Sequence, residues 1–199
     1  MPTTPLPFTS TGYQVAYSAA ILAWAVPEWV GSLLQRVRGA ARREDHGSYA
    51  VVLGTIALGF GLSFFLAGAV PGATIFWHRR AFFVAGIVLA LLGVALRWYA
   101  IWCLGRYFTR VVAVRPNQQV VRRGPYRFVR HPAYSGMLLT ILGLGLALTN
   151  WASLLALVGC AVAGLLYRIR VEERALRAAL GRPYEEYMRH TRRLIPFVY

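Results

Sequence analysis

Five apolar runs, each close to the about 20 residues an α-helix needs to cross roughly 30 Å of hydrocarbon, divide this chain almost from end to end. They cover roughly residues 13–34, 49–70, 81–103, 134–149 and 151–168. Lipid offers no water to backbone N–H and C=O groups, so runs of this kind fold as helices. Composition agrees: 57% of residues are hydrophobic and 15% charged, whereas a soluble domain carries about 25% charged residues. The stretch "MPTTPLPFTSTGY" has no Lys or Arg ahead of the first run, so that run is expected to be a span and not a cleaved leader. Only Asn150 and Trp151 separate the fourth and fifth runs. They are expected to form a tight helical hairpin, with Gly143, Gly145, Gly159 and Gly164 letting those two helices approach closely.

The formal net charge is +15, and every basic residue behind it, histidine aside, is arginine. An excess of this size suits nucleic acid or an anionic membrane face. The arginines fall between the apolar runs, which favours the membrane and excludes nucleic acid as partner. Arg36, Arg38, Arg42 and Arg43 lie in one connection, seven more lie between Arg106 and Arg130, and the tail from Arg168 onward is equally rich. By the positive-inside rule all these face the cytoplasm. Arg79, Arg80 and the Asn150 turn are left outside, giving five crossings with the N-terminus out and the C-terminus in. Cys103 and Cys160 sit inside apolar runs without metal-ligand spacing and read as small buried hydrophobes. Pro27 and Glu28 lie near the inner end of the first run, where an interfacial Glu is the ordinary reading.

One polar segment interrupts this pattern. In "GPYRFVRHPAYSG", residues 124–136, Gly124 and Pro125 mark a turn, and Pro132 disfavours helix at His131. The fourth span therefore starts after it, near Ala133 or Tyr134, and its free N–H groups face a loop bearing Tyr126, His131 and Tyr134. A lone His beside Pro at a membrane surface is ordinarily just solvated. The second polar cluster, "YRIRVEE", changes the weighing. Arg168 and Glu172 stand four apart on one helical face at the mouth of the fifth span. If the last two spans pair, both clusters converge on one interfacial pocket. Beyond them the tail reads as helix to about Leu180, a stop at Gly181 and Pro183, a second short helix and an ending at Pro196. Leu176 and Leu180 share a face with the acidic pair, which suggests a tail lying along the membrane surface.

"GPYRFVRHPAYSG", then a short apolar hairpin, "RIRVEE", "LGRPYEEY" and "TRRLIP" together resemble the isoprenylcysteine carboxyl methyltransferase family and related phospholipid N-methyltransferases, over roughly residues 97–199. The resemblance implies an all-α integral membrane protein of about five transmembrane helices, with a cytoplasmic cofactor-binding loop and C-terminal helices. It implies one domain, 1–199, with N-terminal spans in 1–96 and the methyltransferase region in 97–199. The implied cofactor is S-adenosyl-L-methionine, held by Gln118, Val120, Val121, Tyr126, His131, Pro132, Tyr134 and Glu172, with no metal. Arg168 takes the place of the family's substrate-orienting arginine, and Gln118 stands where a His is common in the family.

Methyl transfer from a sulfonium is an in-line displacement, so such a site mainly aligns nucleophile and methyl and excludes water. A carboxylate is already nucleophilic at neutral pH, and an arginine can hold it by charge-assisted hydrogen bonds. An amine or thiol needs a base instead. The leading expectation is O-methylation of an isoprenoid or prenylcysteine-like carboxylate. The alternatives are N- or S-methylation of a phospholipid amine or small hydrophobic thiol, or, further off, a membrane sterol-type reductase using a nicotinamide cofactor. Expected partners are a lipophilic or lipidated substrate and membrane lipid, without an obligate protein partner. The lysine-free composition suggests a GC-rich prokaryotic genome, hence the inner (cytoplasmic) membrane with the site facing the cytoplasm.

Overall fold

In the computed structural model, residues 4–34, 42–43, 45, 47–109, 112–114 and 118–195 are described. Six α-helices lie among them: α1 Thr11–Leu34, α2 Ser48–Ala69, α3 Arg79–Leu104, α4 Pro132–Ala147, α5 Trp151–Leu180 and α6 Arg182–His190. The fold is an all-α integral membrane architecture. A two-residue antiparallel pair, β1 (Arg42–Arg43) with β2 (Ala113–Val114), joins two connections at one end of the bundle. Pro196, expected to end the tail, is outside the described residues.

The helices α2, α3 and α5 are each long and apolar enough to cross a membrane. At 1.5 Å per residue the 24 residues of α1 reach about 36 Å, also enough to span, though Pro27 and Glu28 make it less apolar. With 16 residues, α4 reaches only about 24 Å. In contrast, the 30 residues of α5 reach about 45 Å and must project beyond the hydrocarbon. Leu53, Leu58, Phe65, Leu92 and Leu155 are exposed on the bundle surface, the side that lipid would cover.

Packing differs from the expected hairpin seam. The main partner of α4 is α3, and that of α5 is α2. Gly86, Ala90 and Gly93 of α3 meet Gly136, Thr140 and Gly143 of α4 so closely that a Cβ on Gly93 would stand 2.4 Å from the Thr140 nitrogen. On Gly143 a Cβ would stand 2.4 Å from the Ala90 nitrogen. In the same way Gly164 packs on Thr55 of α2, Gly145 alone faces Leu154 of α5, and Gly159 has open space around it. Without a hydrophobic drive between helices in lipid, backbones approach where small residues recur on one face, and positions 86, 90, 93 and 136, 140, 143 supply such faces.

The two ends of the bundle differ. At one end the Leu6 N–H donates to Thr149 Oγ1 at 3.1 Å, the Ile75 N–H to the Thr149 carbonyl at 2.8 Å, and Asn150 Nδ2 to the Val70 carbonyl at 3.2 Å. These bonds close the end with polar turns. The other end gathers the described residues of the α1–α2 connection and of 105–131, the end of α5, and α6. Here the helix α4 starts at Pro132, one or two residues earlier than expected, because Pro's fixed φ suits the first helical position and its missing N–H has no partner to lose there.

Candidate active site

At this second end a cleft of about 850 Å³, part of it open to solvent, lies between the α3–α4 connection, the start of α4, the end of α5 and α6. Gln118, Val120, Val121, Tyr126, His131, Tyr134, Arg168 and Glu172 all line it. Pro132 does not; it is fully buried at the head of α4. From the connection Tyr107, Phe108, Thr109, Val112 and residues 118–121 line the cleft, and Leu176, Leu180, Tyr184 and Tyr187 form the opposite wall. So α5 beyond Arg168 faces the cleft with Leu176 and Leu180.

Tyr134 ties the two polar clusters together. Its hydroxyl donates to Glu172 Oε2 at 2.6 Å and accepts from Arg168 Nε at 3.0 Å. The His131 ring stacks on the Tyr134 ring at 5.5 Å, tilted by 18°. The His131 Nδ1 atom lies 3.9 Å from Glu172 Oε2 and its Nε2 atom 3.4 Å from Glu173 Oε1, the latter without hydrogen-bond alignment. Adjacent in sequence, the two glutamates part company in space, because a helix turns about 100° per residue. Glu172 borders the cleft. Glu173 is buried and accepts from Arg130 Nε at 2.9 Å and Arg193 Nε at 3.1 Å. Arg130 also donates to the carbonyls of Met188 and Thr191, so this ion cluster pins α6 and the tail against α5. Tyr187 donates to the Tyr126 carbonyl at 2.6 Å. Burial pushes the hydroxyls of Tyr126, Tyr184 and Tyr187 well above the usual tyrosine value, so all three stay neutral.

A second, smaller cavity of about 350 Å³ adjoins the first and shares Phe108, Thr109, Tyr134 and Arg168 with it. Tyr49, Val52, Met137 and Arg97 complete its lining. Arg97 had passed unnoticed inside the third apolar run. It is 5% exposed, donates to the Ala133 carbonyl at 3.0 Å, and engages both carboxylate oxygens of Glu28. Glu28 is therefore no solvated interfacial residue: lipid would make a lone carboxylate costly, and Arg97 supplies its counter-charge. From the closed end of their helices, Glu28, Arg97 and Arg168 all lie about 26 Å along, just within a 30 Å hydrocarbon layer. Asp45 also reaches the site, pairing with Arg168 Nη1. Burial would raise its carboxyl pKa, but the Val112 N–H, the Ser48 hydroxyl, the Tyr49 N–H and Arg168 together hold it below the usual value.

A bundle of spanning helices with a cleft at one end, walled by Tyr, Arg and Glu, defines an all-α integral-membrane protein with a candidate small-molecule site. Residues 86–178, just under half of the chain, match the model of the isoprenylcysteine carboxyl methyltransferase family. It is 35% identical over 115 residues to a probable protein-S-isoprenylcysteine O-methyltransferase of Oryza sativa subsp. indica, covering 57% of this chain and 60% of the relative. It is 37% identical over 113 residues to the cobalt-zinc-cadmium resistance protein CzcN of Cupriavidus metallidurans, covering 55% of this chain and 49% of that one. The chain thus spans about half to three-fifths of the length of these relatives. The solved structure of the eukaryotic intramembrane Ras methyltransferase, isoprenylcysteine carboxyl methyltransferase, superimposes with a TM-score of 0.56 at 23% identity, over 92% of this chain and 63% of that one. Its fold is the fold described above.

Proposed function

We propose that this chain is an S-adenosyl-L-methionine-dependent methyltransferase that methylates a carboxylate on an isoprenoid or prenylcysteine-like acceptor. The observation that carries the reading is the Arg168–Tyr134–Glu172 chain, standing as a wall between a larger cleft of mixed polarity and a smaller, largely apolar cavity. The family relationship supports it. The residues of the larger cleft fit the cofactor: the carboxylate of Glu172 matches hydroxyl or ammonium groups, and Tyr126, Tyr184 and Tyr187 present neutral aromatic faces. Gln118, Val120, Val121, His131 and Tyr134 would hold the rest of it.

When bound, the cofactor supplies an electrophilic methyl on a sulfonium. The chain's own residues then have a limited task. Arg168 orients the acceptor carboxylate by charge-assisted hydrogen bonds. Val52, Met137 and Phe108 exclude water around the acceptor's apolar part. Tyr134 keeps Arg168 and Glu172 in register across the wall. A carboxylate acceptor is already nucleophilic, so these residues would have no proton to take from it.

A thiol or amine acceptor is a second reading favoured by one observation: both arginines of the smaller cavity already face carboxylates, Arg97 with Glu28 and Arg168 with Asp45. We infer the cytoplasmic face of a prokaryotic inner membrane as the setting, the face from the arginine-rich connections and the prokaryotic source from the lysine-free composition. Calorimetry in detergent with S-adenosylhomocysteine and with NADPH tests the cofactor class. Binding of the former is expected; binding of NADPH alone would move the chain to the reductase class.

A further inference from the structure

Asp45 lies in the α1–α2 connection, outside the family-matched residues, yet its carboxylate reaches the wall between the cavities. Its Oδ1 accepts from the Val112 N–H at 3.0 Å, from the Ser48 hydroxyl at 2.9 Å, and from Arg168 Nη1. The other oxygen, Oδ2, accepts from the Tyr49 N–H at 3.3 Å. Arg168 Nη1 also donates to the buried Ser48 hydroxyl at 2.8 Å. The start of α2, the cleft-lining connection at Val112 and the guanidinium of α5 therefore meet on one carboxylate. Displacing Asp45 would strand the Val112 and Tyr49 N–H groups together, so the carboxylate is a fixed strut and a poor candidate for exchange with an incoming acceptor. A helix start does not require a charge for this: Asn caps as well as Asp. What Asp adds is a charge-assisted contact to Arg168.

We propose that Asp45 is a positioning residue for methyl transfer, fixing the plane of the Arg168 guanidinium between the two cavities and coupling it to the seating of the Val112 segment over the cleft. The proposal rests on the methyltransferase reading above. Asp45→Asn, with its amide oxygen in the place of Oδ1, keeps the acceptor for the Val112 N–H and the Ser48 hydroxyl, gives up only the 3.3 Å bond from the Tyr49 N–H, and removes the charge that faces Arg168. In nanodiscs, with N-acetyl-S-farnesylcysteine as acceptor probe, Asp45→Asn should bind S-adenosylhomocysteine within about threefold of wild type. Its kcat at saturation of both substrates should fall at least tenfold, and adding Asp45→Asn to Arg168→Ala should cost nothing further. A kcat within twofold of wild type, or an equal loss in the Arg168→Ala background, overturns the proposal. If wild type bound no S-adenosylhomocysteine, the methyltransferase reading would fail instead. The Asp45–Arg168 coupling would still be read from thermal unfolding of the single and double variants, where additive losses overturn it and non-additive losses support it.

Discussion

At the scale of single residues, the two adjacent glutamates separate binding from stability. Glu172 borders the cleft and accepts one hydrogen bond from Tyr134, so Glu172→Gln should weaken S-adenosylhomocysteine binding by about 1.5–3 kcal/mol with little change in thermal stability, as a lost charge-assisted contact does. Glu173→Gln should do the opposite. It leaves Arg130 and Arg193 without their shared counter-charge, and a broken buried pair costs about 3–5 kcal/mol, read as a lowered unfolding midpoint at near-normal affinity. Arg168→Ala should keep S-adenosylhomocysteine affinity and lose turnover, because a misaligned acceptor forfeits orientation. A Lys there should rescue little, since a point charge does not reproduce a guanidinium's fork. Normal turnover in Arg168→Ala, at limiting concentrations of both substrates, would favour a thiol or amine acceptor.

At the scale of elements, the seam between α3 and α4 holds the cleft's floor against the bundle. Gly143→Ala sets a Cβ 2.4 Å from the Ala90 backbone nitrogen, whereas Gly159→Ala enters open space. The former should lower the unfolding midpoint by the equivalent of about 1–3 kcal/mol or more, and the latter should leave it unchanged, as measured in detergent. The small-residue spacing was legible in the sequence; its partner was not. Gly143 and Gly145 sit two residues apart on a helix and so face different neighbours, α3 and α5, and only the fold decides which. The same limit hid Arg97 and Asp45. Their partners, Glu28 and Arg168, lie 69 and 123 residues away along the chain, so no local pattern announces them. In contrast, Arg168 and Glu172 share one helical face, and His131 and Tyr134 lie three residues apart at a helix start. Those local relations made most of the cleft's lining readable in advance.

At the scale of the whole molecule, the smaller cavity and the ion pairs beside it are completed by the N-terminal helices. Glu28 reaches Arg97 from α1, Tyr49 and Val52 come from α2, and Asp45 comes from the connection between them. The family-matched residues alone would leave two arginines near the inner edge of the hydrocarbon without their carboxylates. Cysteine-accessibility labelling in sealed vesicles should place residues 118–121 on the cytoplasmic side and the Asn150 turn on the other; the reverse would remove the cleft from the cellular pool of cofactor. The most direct measurement of the whole account is transfer of a radiolabelled methyl group from S-adenosyl-L-methionine by the purified chain in nanodiscs containing lipid extract from its host. The account predicts label in a lipid-soluble product as a base-labile methyl ester, lost in Arg168→Ala. Label that resists base, on nitrogen or sulfur, would contradict the carboxylate acceptor, and no transfer to any lipid-soluble species would contradict the methyltransferase reading itself.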